Sequence, residues 1–167
     1  MPIRSLAQST PESITGFEAA AEEKYEDGFN LMASPSPGNG VYLMGYVAEM
    51  LLKSAYFRLI GLSATATITR TELNQARSAA RTLGVAAPEE SLHGLEFWGE
   101  LLIKTRRQGV LMAPLIEAEL DKRTKLLAQN WFVEMRYQAL QGISLSDVEA
   151  VLDDVIWIKS NYEQLWR

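Results

Sequence analysis

Five polar side chains share one stripe of an otherwise apolar segment: Tyr42, Tyr46, Glu49, Lys53 and Tyr56 fall at i, i+4, i+7, i+11 and i+14. On a helix that spacing lines them along a single face. Glu49 precedes Lys53 by four residues, the favourable orientation for a helical ion pair, worth about 0.2–0.5 kcal/mol when exposed. Their neighbours Met50, Leu51, Leu52 and Ala55 are apolar, so burial is expected, and buried charges need partners. Two roles are open to the stripe. It is either a structural ion pair with tyrosines at a bundle edge, or a polar face lining a cleft or a dimer contact.

His93 is the one histidine, and so the one side chain whose ordinary titration lies near neutrality. It precedes Gly94-Leu95-Glu96-Phe97-Trp98 at an expected helix start, where it either packs and hydrogen-bonds or does acid–base work. A third group is Trp131 with Arg136 and Tyr137. Arg136 stands between Phe132, Met135 and Leu140, and a guanidinium in apolar company calls for a carboxylate that can meet its fork. Glu49 is the expected partner, in direct or one-water reach, with Tyr137 packed close by. The candidate binding cluster is thus Tyr46, Glu49, Lys53, His93, Arg136 and Tyr137, with no residue assigned a catalytic role.

Several chemistries are excluded by composition. There is no Gly-x-x-x-x-Gly-Lys-Ser/Thr run, and Pro37-Gly38-Asn39-Gly40 lacks the lysine and the preceding strand of a phosphate loop. With one histidine and no cysteine, a structural zinc site is out of reach. Glu90-Ser91-Leu92-His93 matches Glu-x-x-His, but di-iron bundles need that motif twice and two further glutamates. No Ser/His/Asp or Cys/His arrangement is present. Neither a metal nor a cofactor is expected.

The elements that must carry these residues read as helices throughout. Thr15-Gly16-Phe17-Glu18 fits a capping box, opening a helix to about Met32. Residues 33–40, with two prolines and two glycines, form the expected loop. A second helix follows from Val41 to Ile60, apolar nearly all round, with Gly61 as its stop. Thr69-Arg70-Thr71-Glu72 caps a third helix that Gly84 ends, and Ala87 to Ser91 forms a turn. The next helix runs from Leu92 to Gln108. Pro114 opens another, where its missing N–H costs nothing, and that one is expected to continue to Leu140 with Gly142 as its stop. Ser146-Asp147-Val148-Glu149 is the expected cap of the last helix. There Val148, Val151, Val155, Ile158, Tyr162 and Leu165 are spaced 3, 4, 3, 4, 3, an a/d seam. No sustained alternation of the kind strands need occurs. The expected fold is all-α, a four- to five-helix up-and-down bundle with helix over about two-thirds of the chain, well above the usual third.

At 167 residues one domain, 1–167, is expected, and 47% hydrophobic content builds its core without disulfides. The start Met1-Pro2-Ile3-Arg4-Ser5 lacks the apolar stretch of a signal peptide, which points to a cytoplasmic location. Val41 to Leu62 is long enough to span a bilayer, but Glu49, Lys53 and Arg58 would each cost roughly 2.5–3.5 kcal/mol at its centre. No membrane role is expected. A net charge of −5 gives no global attraction to RNA or nucleotides. The charge is uneven: Glu12, Glu18, Glu22, Glu23, Glu26 and Asp27 oppose only Lys24 early on. Arg70, Arg77 and Arg81, and again Lys104, Arg106 and Arg107, form local basic stretches.

Three pieces together resemble the HEPN superfamily of small helical-bundle proteins. They are Gly45-Tyr46-Val47-Ala48-Glu49-Met50-Leu51-Leu52-Lys53-Ser54-Ala55, then His93-Gly94-Leu95, then Trp131 with Arg136-Tyr137. In order and spacing they cover roughly residues 41–140, and Ala-Glu-x-x-Leu-Lys is the most specific part. The resemblance implies a HEPN-like bundle, often a homodimer, and either a partner of a nucleotidyltransferase in a toxin–antitoxin pair or a metal-independent RNase. RNases of the superfamily carry an arginine followed after four to six residues by a histidine. Here Arg136 is followed at those positions by Gln141, Gly142 and Ile143, and His93 is preceded by Ala86, Ala87 and Pro88. The expected function is therefore a binding or scaffold protein without catalysis. An RNase with a non-standard site, or a purely structural bundle, are the alternatives. Self-association is expected through the last-helix seam or the Tyr42–Tyr56 stripe.

Overall fold

A helix apolar on every side must be surrounded, and the long helix bearing the polar stripe is. In the computed structural model, which describes residues 12–34, 37–86, 92–109, 113–132, 135 and 143–167, the helices are α1 (Ile14–Met32), α2 (Pro37–Leu59), α3 (Arg70–Thr82), α4 (Leu95–Gln108), α5 (Pro114–Asn130), α6 (Leu145–Ser160) and α7 (Tyr162–Trp166). Helix makes up 79% of the chain described. No strand occurs among the described residues beyond an isolated bridge between Ser13 and Thr67. The protein is all-α, and its arrangement fits a four- to five-helix bundle. Helix α2 packs against α1, α4, α6 and α7, while α5 closes against α4 and α6. Met44, Leu52, Phe57, Trp98, Leu101, Leu102, Leu120, Leu127, Ile158 and Leu165 are fully buried at the centre. No helix among the described residues is long and apolar enough to cross a membrane.

Several boundaries differ from expectation, each for a local reason. The cap of α1 is Ser13, whose Oγ accepts from the Gly16 amide at 3.0 Å. Thr15 is already inside the helix, and its hydroxyl donates to the Ala64 carbonyl at 3.2 Å. The loop expected over 33–40 is shorter, because Pro37 opens α2 and Gly38-Asn39-Gly40 are helical. Gly40 is there for close approach: a β-carbon on it would lie 2.6 Å from the Gly28 carbonyl of α1. Gly61 and Gly84 do take positive φ, 82° and 66°, as stops require.

Helix α4 begins at Leu95, capped by Gly94, so His93 precedes the helix. Leu92 is held outside it, its carbonyl accepting from Trp98 Nε1 at 2.8 Å. Helix α5 ends at Asn130, ten residues before the expected end at Leu140, because Trp131 turns extended (φ −138°, ψ 134°) and drops its ring onto α2. The expected stop at Gly142 and the turn over 87–91 lie outside the described residues. Helix α6 is capped by Ser144 with Asp147, a capping box two residues earlier than expected.

The 3,4 seam of the last helix is used inside the chain. Val148, Val151, Val155, Ile158 and Leu165 are buried in the core, with Tyr162 half-buried beside them. The helix is interrupted at Asn161, which separates α6 from α7. The seam thus seats α6 and α7 on α2 and does not form the exposed dimer face expected of it. Arg106, itself buried, secures this end by donating to the Gln164 and Leu165 carbonyls at 2.9 and 2.7 Å, which serves carbonyls left without intrahelical partners at a helix end.

Candidate functional site

Glu49 lies mid-way along α2 with 3% of its side chain exposed. An ionised carboxylate so placed requires partners, and it has two. Lys53, one turn on and nearly as buried, donates from Nζ to Glu49 Oε1. His93 approaches from the segment before α4, with Nδ1 2.9 Å from Oε1 and 3.0 Å from Oε2. The imidazole is 42% exposed. One edge is therefore fixed on a buried charge while the ring is reachable from solvent. A carboxylate at Nδ1 favours the tautomer protonated there, leaving Nε2 as the acceptor.

Aromatic rings frame this pair. Tyr46 stands edge-on to His93, centroids 6.4 Å apart, and edge-on to Trp131 at 5.4 Å. Tyr42 donates its hydroxyl proton to the Tyr46 hydroxyl at 3.0 Å. Trp131 Nε1 donates to the Tyr42 carbonyl at 2.9 Å, a bond that ties the end of α5 to α2. Gly45 makes room for it: a β-carbon there would fall 2.1 Å from the Trp131 ring. On the other side Lys53 Nζ sits 5.7 Å from the Trp98 ring centroid, within cation–π range. Tyr56 lies beyond, buried against Trp98 and Phe57, and burial pushes its phenol above the ordinary tyrosine range.

Four of the expected cluster residues, Tyr46, Glu49, Lys53 and His93, are thus brought together. Arg136 and Tyr137 lie outside the described residues, and with them the expected Glu49–Arg136 contact. Among the described residues no group of three or more metal-ligating side chains converges.

The cluster opens onto a cleft of about 390 Å³ between α2, α3 and the segment before α4. Lys53, Arg70, Arg77 and His93 contribute its basic groups, Asn74 a neutral one, and Glu12 an exposed carboxylate. Sequence reasoning marked Arg70 and Arg77 as a basic stretch and not as part of a site. Their i, i+7 spacing, two turns apart on one face of α3, was the available signal. A roomier groove of about 540 Å³ runs between α4 and α5, but its charges answer one another. Lys104 pairs with Glu100, Lys125 with Asp121, and Arg107 with the buried Glu117.

A second polar cluster joins α1, α2 and α7 away from this site. Arg58 forks onto Glu18, Nε to Oε1 at 2.7 Å and Nη2 to Oε2 at 2.8 Å, and Tyr162 also donates to Glu18. Burial pushes the Glu18 carboxyl up, but the Arg58 and Tyr162 hydrogen bonds outweigh it and hold it below the usual glutamate range. This is a structural tie, with Arg58 stacked over Trp166 at 5.0 Å. Comparison with known proteins adds no identity to these sites: no family model matches the chain, and no curated protein or solved structure is significantly similar to it.

Proposed function

We propose that this chain is a HEPN-like binding protein that acts by association, with itself or with a nucleotidyltransferase-type partner, and not by cleaving RNA. The observation carrying this reading is the engagement of the only histidine. His93 is anchored on a carboxylate that is buried together with its own counter-ion Lys53, an arrangement that sets a ring's position at the cost of its freedom. No arginine in this sequence is followed, after four to six intervening residues, by the histidine that the RNases of the superfamily keep there. The surface offered to a partner is the half-exposed aromatic end of the site, Tyr42 and Tyr46 beside His93.

One observation favours the RNase alternative. A carboxylate on Nδ1 with Nε2 available is the geometry of an oriented general base, and it borders a basic cleft. The two readings separate in one set of experiments. Purified protein incubated with mixed RNA should leave it intact, with no difference between wild type and His93→Ala. Sedimentation should show a self-associated species, or a complex once a nucleotidyltransferase is co-expressed. Cleavage that His93→Ala reduces by about 10²–10⁴-fold, the usual contribution of a general acid–base histidine, would overturn the proposal in favour of the RNase.

A further inference from the structure

We propose that the outward face of α3 docks an acidic, helical segment of a partner polypeptide, with Arg70, Arg77 and Arg81 as its contacts. This deepens the association reading above, on which it rests, by naming a surface and the chemistry of what covers it. Arg70, Asn74, Arg77 and Arg81 fall at i, i+4, i+7 and i+11, so they form one stripe along the helix. From first to last the stripe runs about 16 Å. The remaining exposed residues of α3 are Thr71, Gln75, Ser78 and Thr82, all uncharged. Glu72, its one carboxylate, is spent on the helix start, where it accepts from the Thr69 amide at 2.7 Å and from the Thr69 hydroxyl. The helix is seated through Ala76 and Ala80, both buried, with Leu73 and Leu83 beside them. Among the described residues no other helix packs extensively against it, so the stripe faces out.

Charge complementarity names the occupant. Elsewhere the cations are answered within the chain: Lys53 by Glu49, Arg58 by Glu18, Arg107 by Glu117, Arg123 by Asp154 and Lys159 by Glu22. The three arginines of α3 have no ion-pair partner among the described residues. Arg77 and Arg81 stand at i,i+4, a like-charge spacing that disfavours the helix until an acidic group is set between them. A guanidinium fork matches a carboxylate in two parallel hydrogen bonds. A helix bearing carboxylates at the same intervals meets all three forks in one register, and the amide of Asn74 lies between two of them. The stripe decides against an RNA strand. A polyanion needs positive charge tracked along a groove, whereas here it is one short row on a molecule of net charge −5. Glu12, exposed on the wall of the adjoining cleft, would repel a strand that ran on past Arg70.

The test is fluorescence anisotropy of the full chain with a labelled helical peptide carrying glutamates at i, i+4, i+7 and i+11, and with the same peptide carrying glutamines there. Wild type is compared with Arg70→Gln, Arg81→Gln, the double variant Arg70→Gln/Arg81→Gln, and Lys24→Gln, which makes the same charge change on α1. At low salt, wild type and Lys24→Gln should bind the glutamate peptide saturably and more tightly than the glutamine one. Each arginine contributes on the scale of a surface ion pair, so each single variant should weaken binding about two- to fivefold and the double variant about tenfold. Arg70 and Arg81 are both exposed, so neither substitution should impair folding. Failure of wild type to bind the glutamate peptide, equal binding of the glutamine peptide, or an equal loss in Lys24→Gln overturns the assignment. So does an oligoribonucleotide of equal charge that binds more tightly than the peptide and is weakened by the same substitutions. A double variant that loses self-association in sedimentation, while no peptide binds, gives the face to a second copy. That result overturns this assignment and leaves the association reading standing.

Discussion

A carboxylate sealed from water must be balanced where it stands, and at Glu49 the balance is shared between a lysine on the same helix and a histidine 44 residues away in sequence. Removing one member of a buried pair strands the other, which typically costs about 3–5 kcal/mol, whereas replacing both with apolar residues of similar volume is often neutral. Glu49→Gln leaves the Lys53 ammonium without its counter-charge and should lose stability on that scale in urea denaturation. The double variant Glu49→Met/Lys53→Met should recover most of the loss. Equal losses in the single and double variants would show that the charge pairing is not what matters. The Glu49–Lys53 contact was legible in sequence because i, i+4 spacing on one helix fixes it. Histidine 93 as third member was not, since no local rule brings a pre-helix residue to a helix so far away. Arg70 and Arg77, which have no ion-pair partner among the described residues, were not marked as part of a site for a related reason: how a cation is packed leaves no local sequence signal.

Among the elements, helix ends show what local chemistry decides. For α6 two serines compete two residues apart, and the capping box forms at Ser144, whose Oγ accepts from the Asp147 amide at 3.2 Å while Asp147 reaches back to the Ser144 amide at 3.1 Å. Ser146 only exchanges a hydroxyl hydrogen bond with Ser144. Ser144→Ala should therefore cost about 1 kcal/mol, and Ser146→Ala, at an exposed site, within about 0.5 kcal/mol of nothing. Thermal denaturation of the pair settles it, and the reverse order would place the cap at Ser146. The same comparison explains what the sequence could and could not foretell. Thr69 and Glu72 form the expected box at α3 because nothing longer-ranged claims either side chain. Thr15 and Glu18 match the pattern equally well, yet Thr15 is taken by Ala64 and Glu18 by Arg58 and Tyr162. Helix existence followed from periodicity; helix ends went to whichever partner tertiary packing supplied.

For the whole molecule, the all-α class was readable because α2 is apolar on every side and so demands helices around it, as Met44, Leu52 and Phe57 at full burial show. Which surfaces remain outside was not readable, and the α6 seam, turned inward, is the clearest instance. What holds the wrapped helices together at one end is the Glu18–Arg58–Tyr162 cluster joining α1, α2 and α7, and its titration should be visible in global stability. Glu18 is held below the ordinary glutamate range in the folded chain. Its contribution is thus fully present above the unfolded value and is lost as pH falls through the folded one. Tyr162 is pushed up, first by burial and then by the adjacent Glu18. Its contribution is fully present below the unfolded tyrosine value and is lost as pH rises through the higher folded one. Denaturation free energy measured against pH should therefore fall at both extremes. Glu18→Gln should flatten the acid limb, leaving the smaller slope due to other low-lying carboxylates such as Asp147 and Glu72. Tyr162→Phe should flatten the alkaline limb in part, since Tyr56 is also raised. An acid limb of unchanged steepness in Glu18→Gln would mean that this tie does not bind α1 to the rest of the bundle.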